Sequence, residues 1–598
     1  MFLIIIALFS SAFAQETYYA DTVIVEATRR GYSFIYDFPS VTTLEPDTLP
    51  FRFSRDLVEL LADNVGIIVG RYGYAGGTGS LRLRGENASV CVDGFLVNIP
   101  QLGQFDILWF PAPLPGSTEI VMGPSSSFYG SDGLGGAFNI LPPRFEGLNS
   151  RINIGWGGYS ISNIDADLES KIGELIKYRI ALSERKSDGP REGEGFNAKG
   201  LTSYISGEGD SPYLWLMRNN LSRKLPPPEP FVGDPAEDKT ELTMIESGYS
   251  RLLSEKLWTA VKLLYQDFNE EYLTSEHDNE NLSGRAELLY IFGKAGILQL
   301  KFGGTKARVK SSEAGKHTLN KAYSFISVRE SIIDNLDLLS AIRVEKPYKI
   351  KSNISPFLGL KYDGRAYNLY GEIRYGWREP TLNDLFWSRT AGDFTGDSIP
   401  DYITEGNPNL TKEQSLSALL GVKLKENLRL NLFWSRVQDK IVWQNIDPTL
   451  LGGHWKPVNI PERTYMYGAD IRAHYKYKSL SVNTFATLLN TKTQEEAPLP
   501  YRPSVSLAGN LAYGQLVFRD ALEVQSAISF RWWDGLIDEL GQEMDNPFIL
   551  NLVLGFRVAG VNLCFMMENL LNKEYSLRRG YPLGERNYIW KLRIELEG

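Results

Sequence analysis

The sequence predicts a β-barrel that crosses a membrane, preceded by a small α/β domain, and three observations carry that prediction. Aromatic residues make up 12% of the chain, as 31 Tyr, 29 Phe and 12 Trp, while the mean hydropathy is only −0.22. From residue 144 onward, short stretches alternate apolar and polar side chains. Ahead of them lies one stretch, residues 80–140, that is dense in glycine and unlike anything after it. Barrel strands place apolar residues toward lipid and polar residues toward the lumen, so average hydropathy stays low while aromatic girdles raise the Tyr, Trp and Phe content.

At the N-terminus, the apolar run Phe2 to Phe9 is too short to span a bilayer and ends at Ala12-Phe13-Ala14, a small-residue pattern that suits cleavage before Gln15. Residues 1–14 therefore read as a secretory signal peptide. The run has no preceding Lys or Arg, and an uncleaved anchor is the alternative. Residues 15–30 follow as a polar lead and linker around Asp21, Thr22, Val23, Ile24, Val25, Glu26, Ala27 and Thr28. A β-branched segment of this kind near a free end can add as a strand to the edge of another protein's sheet. No further domain is expected ahead of it.

The small domain opens with a loop and then a short amphipathic helix, with Ser54 as N-cap, Asp56 in the first turn and Leu57, Leu60 and Leu61 on one face. Strands are expected over 65–69, 89–92, 118–122 and 137–141. Glycine and proline between them supply tight reversals. Two flexible loops are prominent, Gly70-Arg71-Tyr72-Gly73-Tyr74-Ala75-Gly76-Gly77 and Asn98 to Gln104.

In the second part, Ile152, Ile154 and Trp156 alternate with Arg151, Asn153 and Gly155, and Tyr178, Ile180 and Leu182 alternate with Lys177, Arg179 and Ala181. Period two with charges on one face is the pattern of a barrel strand. The last run places Tyr588, Trp590, Leu592, Ile594 and Leu596 on the lipid side and Lys591, Arg593 and Glu595 inside, as a closing strand. Residues 225–238, with their stiff proline run, 269–281 and 388–409 read as extracellular loops.

Composition also excludes. With 63 Lys+Arg against 72 Asp+Glu and a formal charge of −9, there is no basic footprint for nucleic acid. The four histidines, His277, His317, His454 and His474, lack ligand spacing, and no resident metal site or catalytic constellation is expected. Asp393, Asp397, Asp401 and Glu405 share a loop that reads as solvated rather than as a cation site. Cys91 and Cys564 are the two cysteines; whether they bridge is open.

Arg84-Gly85, Asp93-Gly94, Gly123-Pro124, Tyr129-Gly130 and Gly135-Gly136 occur in the order of the signatures of one known family. The first part resembles the plug domain of TonB-dependent outer-membrane receptors. Trp377 to Phe386, Gly406-Asn407-Pro408-Asn409-Leu410, Tyr467-Gly468-Ala469-Asp470 and Glu568 to Tyr575 are similar to pieces of that family's barrel. The resemblance implies an about 22-stranded antiparallel transmembrane β-barrel, residues 145–598, with a small N-terminal α/β plug domain inside, residues 31–144. At roughly ten residues per strand, about 220 residues serve as strands, which the second part accommodates.

The resemblance also implies a function. Segment 21–28 is similar to the TonB box, so the expected partners are TonB with its inner-membrane energising complex, outer-membrane lipid and a small-molecule chelate. The expected activity is energy-coupled uptake of a scarce metal chelate, a ferric siderophore or a cobalamin-like compound, with no cofactor beyond that cargo. Arg71, Tyr72, Tyr74, Gln101 and Gln104 fall on loops that in this family face ligand, where aromatic and Arg groups grip by stacking and charge-assisted hydrogen bonds. Haem is disfavoured, because no His lies between Thr381 and Glu405. Met122 stands where the family usually has an Arg before Gly-Pro, which leaves Arg84 as the candidate lock between plug and barrel. A passive porin or adhesion barrel is the alternative.

Overall fold

The alternation that begins near residue 144 closes on itself. The computed structural model describes residues 40–44, 61 and 66–597, apart from 75, 78, 112–115, 144, 146, 174, 208, 210, 294–295, 394, 396–399, 426, 495–497 and 520. The signal peptide, segment 21–28 and all of the first helix except buried, helical Leu61 lie outside these residues. Twenty-two strands form one closed barrel. Its last strand, Asn587–Glu597, pairs antiparallel with its first, Asn149–Gly157, setting Trp590 opposite Trp156. Closure leaves every strand with two neighbours, which is how a sheet satisfies its backbone groups in lipid.

Facing follows the sequence period. In the closing strand Tyr588 and Trp590 are exposed while Ile589 and Lys591 are buried, and Ile152, Ile154 and Trp156 are exposed on the strand beside it. The chain enters and leaves the barrel at an end with short turns, such as 334–335 and 559–560; the opposite end carries the loops 226–235, 379–412 and 439–463. Outer-membrane barrels keep short turns in the periplasm and long loops outside.

One loop expectation is corrected and another gains structure. Residues 269–281 are no loop: Leu257–Tyr272 and Ser275–Phe292 form a hairpin with a two-residue turn, and Asn269 sits opposite Asp278. Strands of 16 and 18 residues exceed the roughly 9–11 that cross a bilayer. Their outer ends stand in water and read as polar. In 388–409, the short strands Thr390–Gly392 and Tyr402–Thr404 join Ile441–Asn445 and Gly453–Asn459 in a four-stranded sheet outside the barrel.

The plug comprises β1 (Val41–Leu44), β2 (Ile67–Arg71), β3 (Gly79–Leu83), β4 (Glu86–Val92), β5 (Phe95–Leu96), β6 (Thr118–Met122) and β7 (Gly136–Ile140), with the one-turn helix α1 (Ser126–Tyr129) between the last two. The sheet order is β1-β6-β7-β4-β3-β2, and β4 pairs in parallel with β7. Val90, Cys91, Val92, Ile120, Ala137, Phe138 and Ile140 are all buried, as expected of central strands covered on both faces. One covering is the barrel itself. Val90, Val92 and Phe138 belong to the same apolar cluster as Trp215, Met217, Leu242 and Phe268 of the inner wall, and Phe128 of α1 packs 5.0 Å from Phe357 and 5.8 Å from Phe325. Cys91 and Cys564 are both free and buried.

Candidate functional site

The β2–β3 loop and the loop after β5 face the end of the barrel that carries the long loops. Gly73 and Gly76 in the first loop have φ of +127° and +96°, and a Cβ on Gly76 would stand 2.5 Å from the Phe196 ring. Only glycine lets this loop press so closely against the wall. The result is an apical chamber. Tyr72 meets Tyr581 edge-on at 5.1 Å, and the Arg578 guanidinium lies over two rings, 4.4 Å from Tyr72 and 4.8 Å from Tyr501.

Two more guanidinium groups lie beside this cluster. Arg502 donates through Nε to the Gly85 carbonyl at 2.7 Å and stands 4.0 Å from Glu86, whose other partner is Lys440 at 2.5 Å. Burial, opposed by Glu86 and assisted by Arg82, pushes Arg502 down to about 10. Burial also lowers Arg82, against the pull of Glu86 and Tyr72, with Arg578 adding to the fall. For Glu86 burial acts upward, but Lys440 and Arg502 outweigh it and hold the carboxyl below its usual range. Three guanidinium groups and one ammonium thus lie around the Glu86 carboxylate and a set of phenol rings, of which Tyr501 donates its hydroxyl to Glu539. Such a surface attracts anions and stacks on flat ligands.

The five loop residues divide. Arg71 and Tyr72 are half-buried and Gln104 is exposed. Tyr74 is turned into the wall: its amide donates to Glu194 at 2.7 Å, its hydroxyl to Glu568 at 2.6 Å, and Asn587 donates to that hydroxyl at 2.9 Å. Gln101 is 1% exposed and hydrogen-bonds His277 at 2.9 Å. Geometry makes Tyr74 and Gln101 anchors for their loops. Beside Gln101, the helix α2 (Leu382–Phe386) donates its first amides, Leu382 to the Pro100 carbonyl at 3.1 Å and Asn383 to the Gln101 carbonyl at 3.2 Å. Free amides at a helix start are thereby satisfied by the plug.

Below the chamber, buried charge pairs seat the plug. Arg84 donates to Asp470 through Nε at 2.8 Å and Nη2 at 2.6 Å and lies 4.2 Å from the Phe433 ring. Asp93 pairs with Lys262 and stands 3.7 Å from Arg285. These cations outweigh burial and hold its carboxyl down at about 2. Asp106 pairs with Arg223 at 2.8 Å, and Arg223 also holds Asp238 at 2.6 Å. Ser40 donates to Glu372, which is paired with Arg374 of its own strand at 2.6 Å. Met122 is buried in the apolar cluster of the plug. Asp132 differs from these. Its amide donates to the Trp377 carbonyl at 3.0 Å, and burial, aided by Glu345 and Glu413 against Lys321 and Arg378, pushes its carboxyl up to about 6.

Among the described residues no group of His, Cys, Asp and Glu is placed to hold a metal ion. In the acidic loop, Asp401 accepts from Thr395 and Glu405 pairs with Lys456; Asp397 lies outside the described residues. Sequence reasoning missed Arg578, Tyr581, Tyr501 and Arg502. They come from long loops with no pattern of their own.

Residues 35–137 match the TonB-dependent receptor plug domain, and residues 247–570 match the TonB dependent receptor-like beta-barrel. The chain belongs to the TonB-dependent receptor family. It is therefore a protein of the outer membrane, and receptors of this family work with TonB. Similar proteins include the vitamin B12 transporter BtuB of Vibrio vulnificus, 23% identical over 96% of this chain and 95% of that one. Among solved structures, the siderophore receptor PirA from Acinetobacter baumannii superposes with a TM-score of 0.77 at 14% identity, covering 94% of this chain and 99% of the other. The copper transporter OprC gives 0.74 at 14% identity, over 94% and 98%. These structural likenesses describe the receptor fold.

Proposed function

We propose that this receptor takes up a scarce metal chelate across the outer membrane, driven by TonB acting on segment 21–28. The chelate docks on the apical chamber through Arg71, Tyr72 and Gln104 of the plug and Arg578 and Tyr581 of the barrel loops. TonB then pulls the plug, and the strain frees a path through the lumen. The observation that carries the reading is the pairing of a lumen filled by a charge-seated plug with an outward chamber of guanidinium and phenol groups. A passive pore gains nothing from a filled lumen, whereas a pulled plug turns force into access.

The charge of the chamber favours an anionic chelate such as a ferric siderophore over a neutral one, while the BtuB likeness keeps a cobalamin-like cargo in the panel. Tryptophan-fluorescence titration of the detergent-solubilised protein with a ferric catecholate, a ferric hydroxamate, cobalamin, haem and a nickel chelate tests the reading. Saturable binding of one compound, weakened at least tenfold by Tyr72→Ala, is expected. Saturation by none of them contradicts it.

A further inference from the structure

We infer that the path opens along one wall of the barrel, the three strands Val505–Val517, Leu522–Asp534 and Phe548–Val558, and that the opposite wall holds the plug still. This rests on the uptake reading above. The two walls differ in how the plug covers them. On the strands from Tyr213–Leu225 to Tyr367–Arg378, inward residues such as Trp258, Ala260, Lys262, Arg285, Leu339 and Ala341 are buried. That wall also carries the buried partners of Asp93, Asp106, Ser40 and Ser126: Lys262 and Arg285, Arg223, Glu372, and the Trp377 backbone.

On the other wall, Leu511, Tyr513, Ile528 and Phe556 are exposed toward lipid, so the residues between them face the lumen. Ala508, Asn510, Ala512, Ala527, Ser529 and Asn551 are all half-buried, unlike the buried residues of the first wall. They lie side by side, with Ala512 opposite Ala527, Asn510 opposite Ser529, and Ser529 opposite Asn551. Among the described residues the plug leaves these positions uncovered, although Ile549 near the top of the same face is buried. At its upper end the gap begins as a cleft between Ile67 and Ile68 of β2, the edge strand of the plug sheet, and Phe485, Ser506 and Trp533.

Movement of the plug along the covered wall strips ion pairs inside a low-dielectric site, leaving charges without partners. Along the open wall it displaces water from short polar side chains, which re-form their hydrogen bonds to water or to a passing polar solute. The least resistance therefore lies on the open wall. Widening starts where solvent already stands, at the β2 edge.

The test uses the full chain in cells, with a sulfonated maleimide as probe and the titration panel supplied outside. The unsubstituted chain, with both cysteines buried, sets the background. Ala512→Cys and Ala527→Cys are compared with Ala260→Cys and Ala341→Cys, with and without a protonophore. Energy-dependent labelling that rises several-fold at 512 and 527 and stays flat at 260 and 341 is expected. A rise at 260 and 341, or an equal rise on both walls, overturns the assignment and leaves the uptake reading intact. No energy-dependent change at any position contradicts the uptake reading itself, and the path with it. As a second readout, Ala508→Trp should retain binding of the saturating chelate and lose its uptake; unchanged uptake overturns the path.

Discussion

Asp93 shows how much a single plug residue carries. Its carboxylate faces Lys262, Arg285 and the Tyr213 hydroxyl, all within the lumen. Removing one member of a buried pair leaves the other charge uncompensated, at about 3–5 kcal/mol. Asp93→Asn should therefore loosen the plug by about that amount, read as a lower thermal midpoint and faster proteolysis of the plug, while chelate binding at the apex is retained. Asp132 gives the opposite sign. Its folded carboxyl sits near 6, above the roughly 3.9 of an unfolded Asp, so the plug binds that proton more tightly when seated. The stability that this proton contributes is full below about pH 4 and is lost as pH rises through 6, roughly 3 kcal/mol in all. Asp132→Asn should remove this pH dependence from plug unfolding between pH 4 and 7. A titration curve unchanged by the substitution contradicts the assignment. In the chamber, Arg578→Ala removes the cation held between Tyr72 and Tyr501, and an anionic chelate should bind at least tenfold more weakly, with fluorescence titration as the check.

At the scale of elements, segment 21–28 is the proposed handle. A chain lacking Asp21 to Thr28 should insert, bind chelate with unchanged affinity and fail to accumulate it, which a binding assay and an uptake assay on the same cells separate. Much of the element plan was legible in sequence because its causes are local. Ile152, Ile154 and Trp156 announce a lipid face by alternation alone, and the apolar run Val90-Cys91-Val92 announces a strand covered on both sides. Other elements depend on what is not local. Residues 269–281 look like a loop because the outer end of a long hairpin is polar on both faces: outward side chains meet water, and the buried inward ones, His277, Asn279 and Asn281, are polar too. The four-stranded sheet of residues 390–404 and 441–459 is built from two loops distant in sequence. Tyr74 and Gln101 read as ligand groups from their loops, yet their direction is decided by Glu194, Glu568, Asn587 and His277 of the barrel, which no local pattern foretells.

For the whole molecule, the fold joins two unlike jobs. The closed sheet holds a lipid-facing apolar surface and a charged lumen in register, and the plug fills that lumen with ion pairs rather than with an apolar core alone. Ion pairs of this kind add little net stability over apolar packing but demand one geometry, which suits a part that, in the proposed mechanism, reseats after each cycle. The arrangement is unequal around the barrel, firm at strands 213–378 and wet at strands 505–558, so a pull on the N-terminal segment has a direction in which to act. Coupled uptake is tested most directly by accumulation of the chelate that saturates the purified receptor. It is measured in cells carrying the full chain or the chain without residues 21–28, with and without a protonophore. Accumulation above the bound amount only in energised cells with the full chain is the predicted result; equal accumulation in all four conditions would show a passive barrel and contradict the account.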